Sequence, residues 1–204
     1  MHRTSQPAFR ITVVCLVLAL LTVGLATAQG ARPKSPRGAA ATQIGDAWIE
    51  FSYSRPILRG RNGIFGSGAE YGTKLYAGAP VWRAGADVTT RIKTEVDLMI
   101  GGKKLPAGEY SFFIELKEGA WTAIFSSQPY MEKFDRAKMQ EGITWGAYGY
   151  DPKNDVLRAD MVTETTDFSL DQMTIGFTDV TESGGNIFVG WDNQMGNLAF
   201  TVAK

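Results

Sequence analysis

Apolar and polar residues alternate along much of this chain, most clearly from Thr90, where Ile92, Thr94, Val96, Leu98 and Ile100 interleave with Arg91, Lys93, Glu95 and Asp97. A period of two puts each set on one face of an extended chain, so the stretch predicts a half-buried strand over 90–100. Gly101-Gly102 ends it, and Leu105-Pro106-Ala107-Gly108 turns a second corner. Segments 110–116 and 121–126 flank Lys117-Glu118-Gly119-Ala120, the pattern of a β-hairpin. Trp121, Ala123 and Phe125 are expected on one face of its second strand, and Thr122, Ile124 and Ser126 on the other. Further strands are expected at 48–53, 146–150, 156–164, 172–180, 187–191 and 198–202. Asp151-Pro152-Lys153-Asn154 and Ser183-Gly184-Gly185-Asn186 supply turns between them.

Segment 131–141 (MEKFDRAKMQE) carries the one helical pattern, with Met131, Phe134, Ala137 and Lys138 at helical spacing and Gly142 as the stop. A long Gly-rich connection over 54–86 has no regular period. Many short strands and a single short helix predict an all-β fold, an antiparallel β-sandwich with a closed barrel as the alternative.

The N-terminus follows a different pattern. Arg3 and Arg10 form a basic head, an apolar run extends over 11–26, and Ala26-Thr27-Ala28 is a small-x-small exit. These are the parts of a secretory signal peptide over 1–28, and the apolar run is short for a membrane-spanning helix. The reading is an exported protein, periplasmic or extracellular, with no membrane span after cleavage. Segment 29–42, rich in Gly, Pro, Ala and Arg, is expected to be a flexible leader, and 43–204 a single β-sandwich domain.

Composition then narrows the chemistry. The only cysteine, Cys15, and the only histidine, His2, both fall in the signal, so the mature chain has neither thiol nor imidazole. Ser-His-Asp and Cys-His catalysis, Cys/His zinc sites and disulfides are thereby excluded, leaving carboxylate chemistry, oxygen-ligated metals and plain recognition. The 21 basic and 21 acidic residues balance over the whole chain, and loss of Arg3 and Arg10 tips the mature part slightly acidic. No basic block fits nucleic acid, which is not expected as a partner. No cofactor or metal is implied: Asp151, Asn154 and Asp155 lack the calcium-loop spacing and read as turn residues. Trp145, Tyr148, Tyr150 and Trp191 read as core aromatics.

The long connection holds the remaining interest. Arg55, Arg59 and Arg61 precede Ile64-Phe65, and Trp82-Arg83 stands just before Asp87. Arginine binds carboxylate or phosphate through a planar fork, and tryptophan offers a stacking face. The ligand-binding expectation is therefore Arg55, Arg61, Trp82, Arg83 and Asp87, with the arginines on an anionic or glycan ligand, Trp82 stacking and Asp87 orienting an arginine. The competing expectation is structural: arginines capping loop carbonyls, Asp87 paired with Arg83 or Arg61, and Ile64, Phe65 and Trp82 plugging one end of the sandwich. No catalytic residue is assigned. A carbohydrate-active enzyme would need two facing acids, and Asp87, Glu109 and Glu70 are available without a spacing that selects a pair.

From Ser54 onward the chain also resembles a known family. The residues that carry the resemblance are Tyr53-Ser54-Arg55-Pro56, Arg59-Gly60-Arg61 with Ile64-Phe65-Gly66, Val81-Trp82-Arg83-Ala84-Gly85-Ala86-Asp87, Leu105-Pro106-Ala107-Gly108-Glu109-Tyr110, Trp121-Thr122-Ala123-Ile124-Phe125 and Asp155-Val156-Leu157-Arg158. Their order resembles that of bacterial exported proteins grouped as domain of unknown function 2911. The resemblance implies an exported, all-β domain without assigned activity. Where members of that family read Asn-Glu, this chain reads Asp87-Val88. Any chemistry resting on that glutamate is therefore lost here or passes to Asp87.

Overall fold

The alternating segments pair into one antiparallel sheet. A computed structural model describes residues 34–203. Its strands are β1 (Arg37–Ile44), β2 (Ala47–Ser54), β3 (Thr90–Thr94), β4 (Leu98–Ile100), β5 (Lys103–Leu105), β6 (Gly108–Lys117), β7 (Ala120–Ser126), β8 (Asp155–Thr181) and β9 (Gly184–Val202). Two short helices, α1 (Thr73–Tyr76) and α2 (Arg136–Gln140), lie in the connections. The strand order is β1-β2-β3-β6-β7-β8-β9-β4-β5, and the sheet does not close, which sets aside the barrel alternative. The signal expected over 1–28 lies outside the described residues. Among the described residues no helix is long and apolar enough to cross a membrane.

The 27-residue strand β8 folds this sheet into two layers. Its first part pairs with β7, from Trp121 opposite Met161 to Ser126 opposite Asp155, and from Val162 onward it pairs with β9. Side chains of the two layers meet between them. Phe51 of β2 packs edge-on to Phe112 at 5.2 Å and against Phe177 of β8 at 5.9 Å. Each such ring contributes about 1.5–3 kcal/mol when fully buried. The β6–β7 hairpin forms with Lys117 opposite Ala120, and Trp121, Ala123 and Phe125 face the core. Its outer face is covered as well: Phe113 and Ile124 are buried beneath Ala79, Val81 and Ala147.

Several elements differ from the sequence expectation, each for a local reason. The leader expected over 29–42 is strand from Arg37 on, where β1 pairs along β2 from Arg37 opposite Ser54 to Ile44 opposite Ala47. Its run of Gly and Ala carries no bulky strand former, yet Gly38 leaves the space that the Arg55 side chain fills. The strand expected over 90–100 breaks after Thr94, whose hydroxyl donates to the Val96 carbonyl at 2.7 Å. That local bond competes with the ladder, and the chain switches layers, β4 pairing with β9 instead of β6. Segment 146–150 is a turn rather than a strand, with Gly146 and Gly149 at positive φ. The helix expected over 131–141 shortens to α2, because Asp135 caps it by accepting from the amides of Ala137 and Lys138. Segments 156–164 and 172–180 are one strand, β8.

The acidic run behaves as turn chemistry. Asp151 accepts from the Lys153 amide at 3.0 Å and starts a short 3-10 turn over Pro152–Asn154. Asp155 accepts from the Tyr150 hydroxyl at 2.7 Å and from Arg158 at 3.0 Å, and Arg158 also pairs with Glu115. Burial, then the hydrogen bond to Asp155, pushes the Tyr150 phenol well above its ordinary value. Trp191 is buried, as expected, while Trp145 and Tyr148 are half-buried.

Candidate functional site

The long connection after β2 closes one end of the sandwich with an aromatic plug. Trp82 exchanges backbone hydrogen bonds with Ile114 of β6, at 2.9 and 2.8 Å, which fixes its ring over the end of the core. Phe65 stacks on Trp121 at 5.3 Å and meets Trp82 edge-on at 5.9 Å. The Trp121 indole N–H donates to the Tyr71 hydroxyl at 3.0 Å. Burial raises the Tyr71 phenol above its ordinary value, so it stays protonated. Ile64, Phe65 and Trp82 are all withdrawn from solvent, Trp82 to 1% exposure.

An open cleft of about 500 Å³ lies against this plug. The turn after Leu58 contributes Arg59 and Arg61, α1 contributes Lys74 and Leu75, and the segment after Trp82 contributes Arg83 and Asp87. Trp191 of β9 and Lys34, at the start of the described chain, also line it. The turn is held by the Arg61 amide donating to the Leu58 carbonyl at 3.1 Å, with Arg59 at φ 52°.

Each arginine is fixed in a distinct way. The Arg61 guanidinium donates through Nε to the Leu58 carbonyl at 2.9 Å and through Nη2 to the Ile57 carbonyl at 2.7 Å. It also lies 5.6 Å from the centre of the Trp191 ring. Arg83 donates through Nη1 to the Asp87 carbonyl at 3.2 Å and sits 5.1 Å over Tyr148. Arg59 donates through Nη2 to the Lys34 carbonyl at 2.8 Å. Among the described residues, none of Lys34, Arg59, Arg61, Lys74 and Arg83 forms an ion pair with a carboxylate. The cleft therefore gathers, among the described residues, five cations against one lining carboxylate, Asp87.

The backbone is held in an uncommon conformation at the same place. Six non-glycine residues have positive φ among the described residues. Arg59, Ala77 and Asp87 line the cleft, and Ala84 sits between two lining residues. A left-handed conformation costs an L-residue about 1–2 kcal/mol, less for aspartate, and such costs gather where a surface is shaped for use.

Four of the five sequence-selected residues, Arg61, Trp82, Arg83 and Asp87, come together here. Arg55 does not line the cleft. It donates to the Met173 carbonyl and the Thr174 hydroxyl of β8, tying the end of β2 to the opposite layer. Trp82 has no open face for stacking, because its ring belongs to the buried plug. Asp87 orients an arginine, but through its carbonyl; its exposed carboxylate meets neither Arg83 nor Arg61. Lys34 and Lys74 carried no sequence signal, since only the fold brings them to the arginines. Glu109 pairs with Arg91 at 3.1 Å and Glu70 accepts from the Thr73 hydroxyl, both outside the cleft lining.

Fold and site together define an antiparallel β-sandwich domain with a cationic cleft at one end. Residues 35–200 match the family described as protein of unknown function (DUF2911), and the chain belongs to it. No curated protein and no solved structure matches the chain.

Proposed function

We propose that this chain is an exported recognition protein whose end cleft binds an anionic ligand. The observation that carries the reading is the convergence of five cations, none paired with a carboxylate among the described residues, on one open cleft. Like charges brought together without counter-ions repel one another, and an anionic ligand removes that repulsion. The backbone conformations at Arg59, Ala77 and Asp87 support the same place. The signal pattern over 1–28 supports export to the periplasm or beyond. A neutral glycan would need an open aromatic face, and Trp82 and Trp191 are both buried. An enzyme built on paired carboxylates would need a second acid beside Asp87, and the described lining has none.

Calorimetric titration with pyrophosphate, comparing Lys74→Ala with Lys133→Ala, tests this reading. Lys74 makes no hydrogen bond or ion pair among the described residues, so its loss should weaken pyrophosphate binding about fivefold without changing Tm. Lys133 lies outside the cleft, and its removal should change nothing. Absence of pyrophosphate binding, or equal loss in both variants, would overturn the proposal.

A further inference from the structure

We infer that the ligand of this cleft is a phosphate ester of a sugar or other polyol, an assignment that rests on the anion-binding reading above. Three features of the cleft point to it: the size of the charge, the free arginine donors and the isolated carboxylate of Asp87.

Charge comes first. Against five cations and one carboxylate, a ligand with a single carboxylate leaves most of the positive charge uncompensated. A phosphate monoester carries about −1.5 to −2 at neutral pH and offers three strong acceptor oxygens. Donors match it. Among the described residues Arg61 uses Nε and Nη2, Arg83 uses Nη1 and Arg59 uses Nη2, so each guanidinium keeps N–H groups for a ligand. Arg61 is held between two carbonyls and the Trp191 ring, so less rotamer entropy is lost when it binds.

Asp87 narrows the class further. Its carboxylate is exposed, accepts no hydrogen bond and meets no cation within 4 Å among the described residues, although five cations line the same cleft. The position is fixed: the residue has φ 58° and its carbonyl is bonded to Arg83. A phosphate ester dianion with no further hydroxyl offers this acid no proton and is repelled by it. A ligand hydroxyl beside the phosphate donates to it, forming a charge-assisted hydrogen bond. An ammonium would also donate, but the surplus of positive charge in the cleft opposes it. Ile57 and Leu75, both half-buried in the lining, offer apolar surface to the C–H face of a sugar ring. The volume, about 500 Å³, accommodates a ligand of hexose phosphate size.

The test is calorimetric titration at pH 8 of the purified protein and its Asp87→Asn variant with three probes: glucose 6-phosphate, methyl phosphate, which has the ester dianion and no hydroxyl, and glucuronate. Asparagine tolerates the left-handed backbone, so the variant keeps the loop, which an unchanged Tm verifies. The wild type should bind glucose 6-phosphate about tenfold more tightly than either other probe, the scale of a hydrogen bond to a charged group. Asp87→Asn should erase that preference while leaving methyl phosphate unchanged or tighter. Equal affinity for methyl phosphate or glucuronate in the wild type would overturn the assignment and leave an anion cleft of another specificity. An unchanged preference in Asp87→Asn would also overturn it. Failure of all three probes to bind would overturn the assignment and the anion-binding reading together.

Discussion

Arg83 holds the carbonyl of Asp87, at 3.2 Å, and leaves the Asp87 carboxylate without a cation partner among the described residues. A chain that needed only to neutralise its loop would bring the two charges together. Here the guanidinium spends one N–H on the backbone and lies over the Tyr148 ring, whose hydroxyl in turn donates to the Ala77 carbonyl at 2.7 Å. The loop is thereby braced, while the charges on both residues stay available.

Gly146 is part of that brace. It sits at φ 62°, and a Cβ there would lie 2.5 Å from Arg83 Nη1 and 2.9 Å from the Asp87 carbonyl. Gly146→Ala should displace the guanidinium and add backbone strain of about 1–2 kcal/mol. The expected outcome is a lower Tm by thermal melting together with weaker pyrophosphate binding by calorimetry. Loss of Tm with undiminished binding would show that Arg83 does not serve the ligand.

The two layers are joined by a separate contact that should leave the cleft alone. The Tyr53 hydroxyl accepts from the Ile175 amide at 2.9 Å and donates to the Ile175 carbonyl at 3.2 Å, in a buried setting. Tyr53→Phe strands both backbone groups and should lower stability by about 2 kcal/mol in urea unfolding. Pyrophosphate affinity should not change.

Alkaline pH should destabilise the fold. Burial raises Tyr150 above its ordinary value of 10.0. A raised folded pKa gives stability that is complete below the unfolded value and is lost as pH rises past it. Urea unfolding between pH 8 and 11 should therefore show stability falling from about pH 10 upward. Tyr150→Phe should be less stable at pH 8, since Asp155 and Arg158 lose a partner, and should show a shallower fall above pH 10. Tyr71, Tyr76, Tyr110 and Tyr130 shift in the same direction, so part of the fall should remain.

Where local pattern decided the structure, the sequence was readable. The β6–β7 hairpin follows from alternation around Glu118-Gly119, and the buried positions of Trp121, Ala123 and Phe125 follow from its period. The connection over 54–86 stood out as a stretch without period, and Arg61, Arg83 and Asp87 within or beside it do share a cleft. Tertiary decisions were not readable. Arg37 to Thr42 looks like a linker, because its side chains are mostly small and its order comes from the β2 ladder. Arg55 reads like Arg61 in sequence, yet Arg55 reaches across to β8 and Arg61 folds back on its own turn. Trp82 fits either a stacking face or an end plug in sequence, and the fold takes the plug, with Phe65 and Trp121 covering its ring. Lys34 and Lys74 are distant in sequence from the arginines they join.

Salt dependence of pyrophosphate binding tests the central claim most directly. Cleft cations that meet no carboxylate among the described residues should bind pyrophosphate at about 20 mM salt and lose most of that affinity at about 500 mM, as screening shortens the reach of each charge. Calorimetric titrations at the two concentrations, on the same protein preparation, supply the comparison. A steep fall in affinity is the predicted result. Binding that is absent at low salt, or equal at both, would contradict the account.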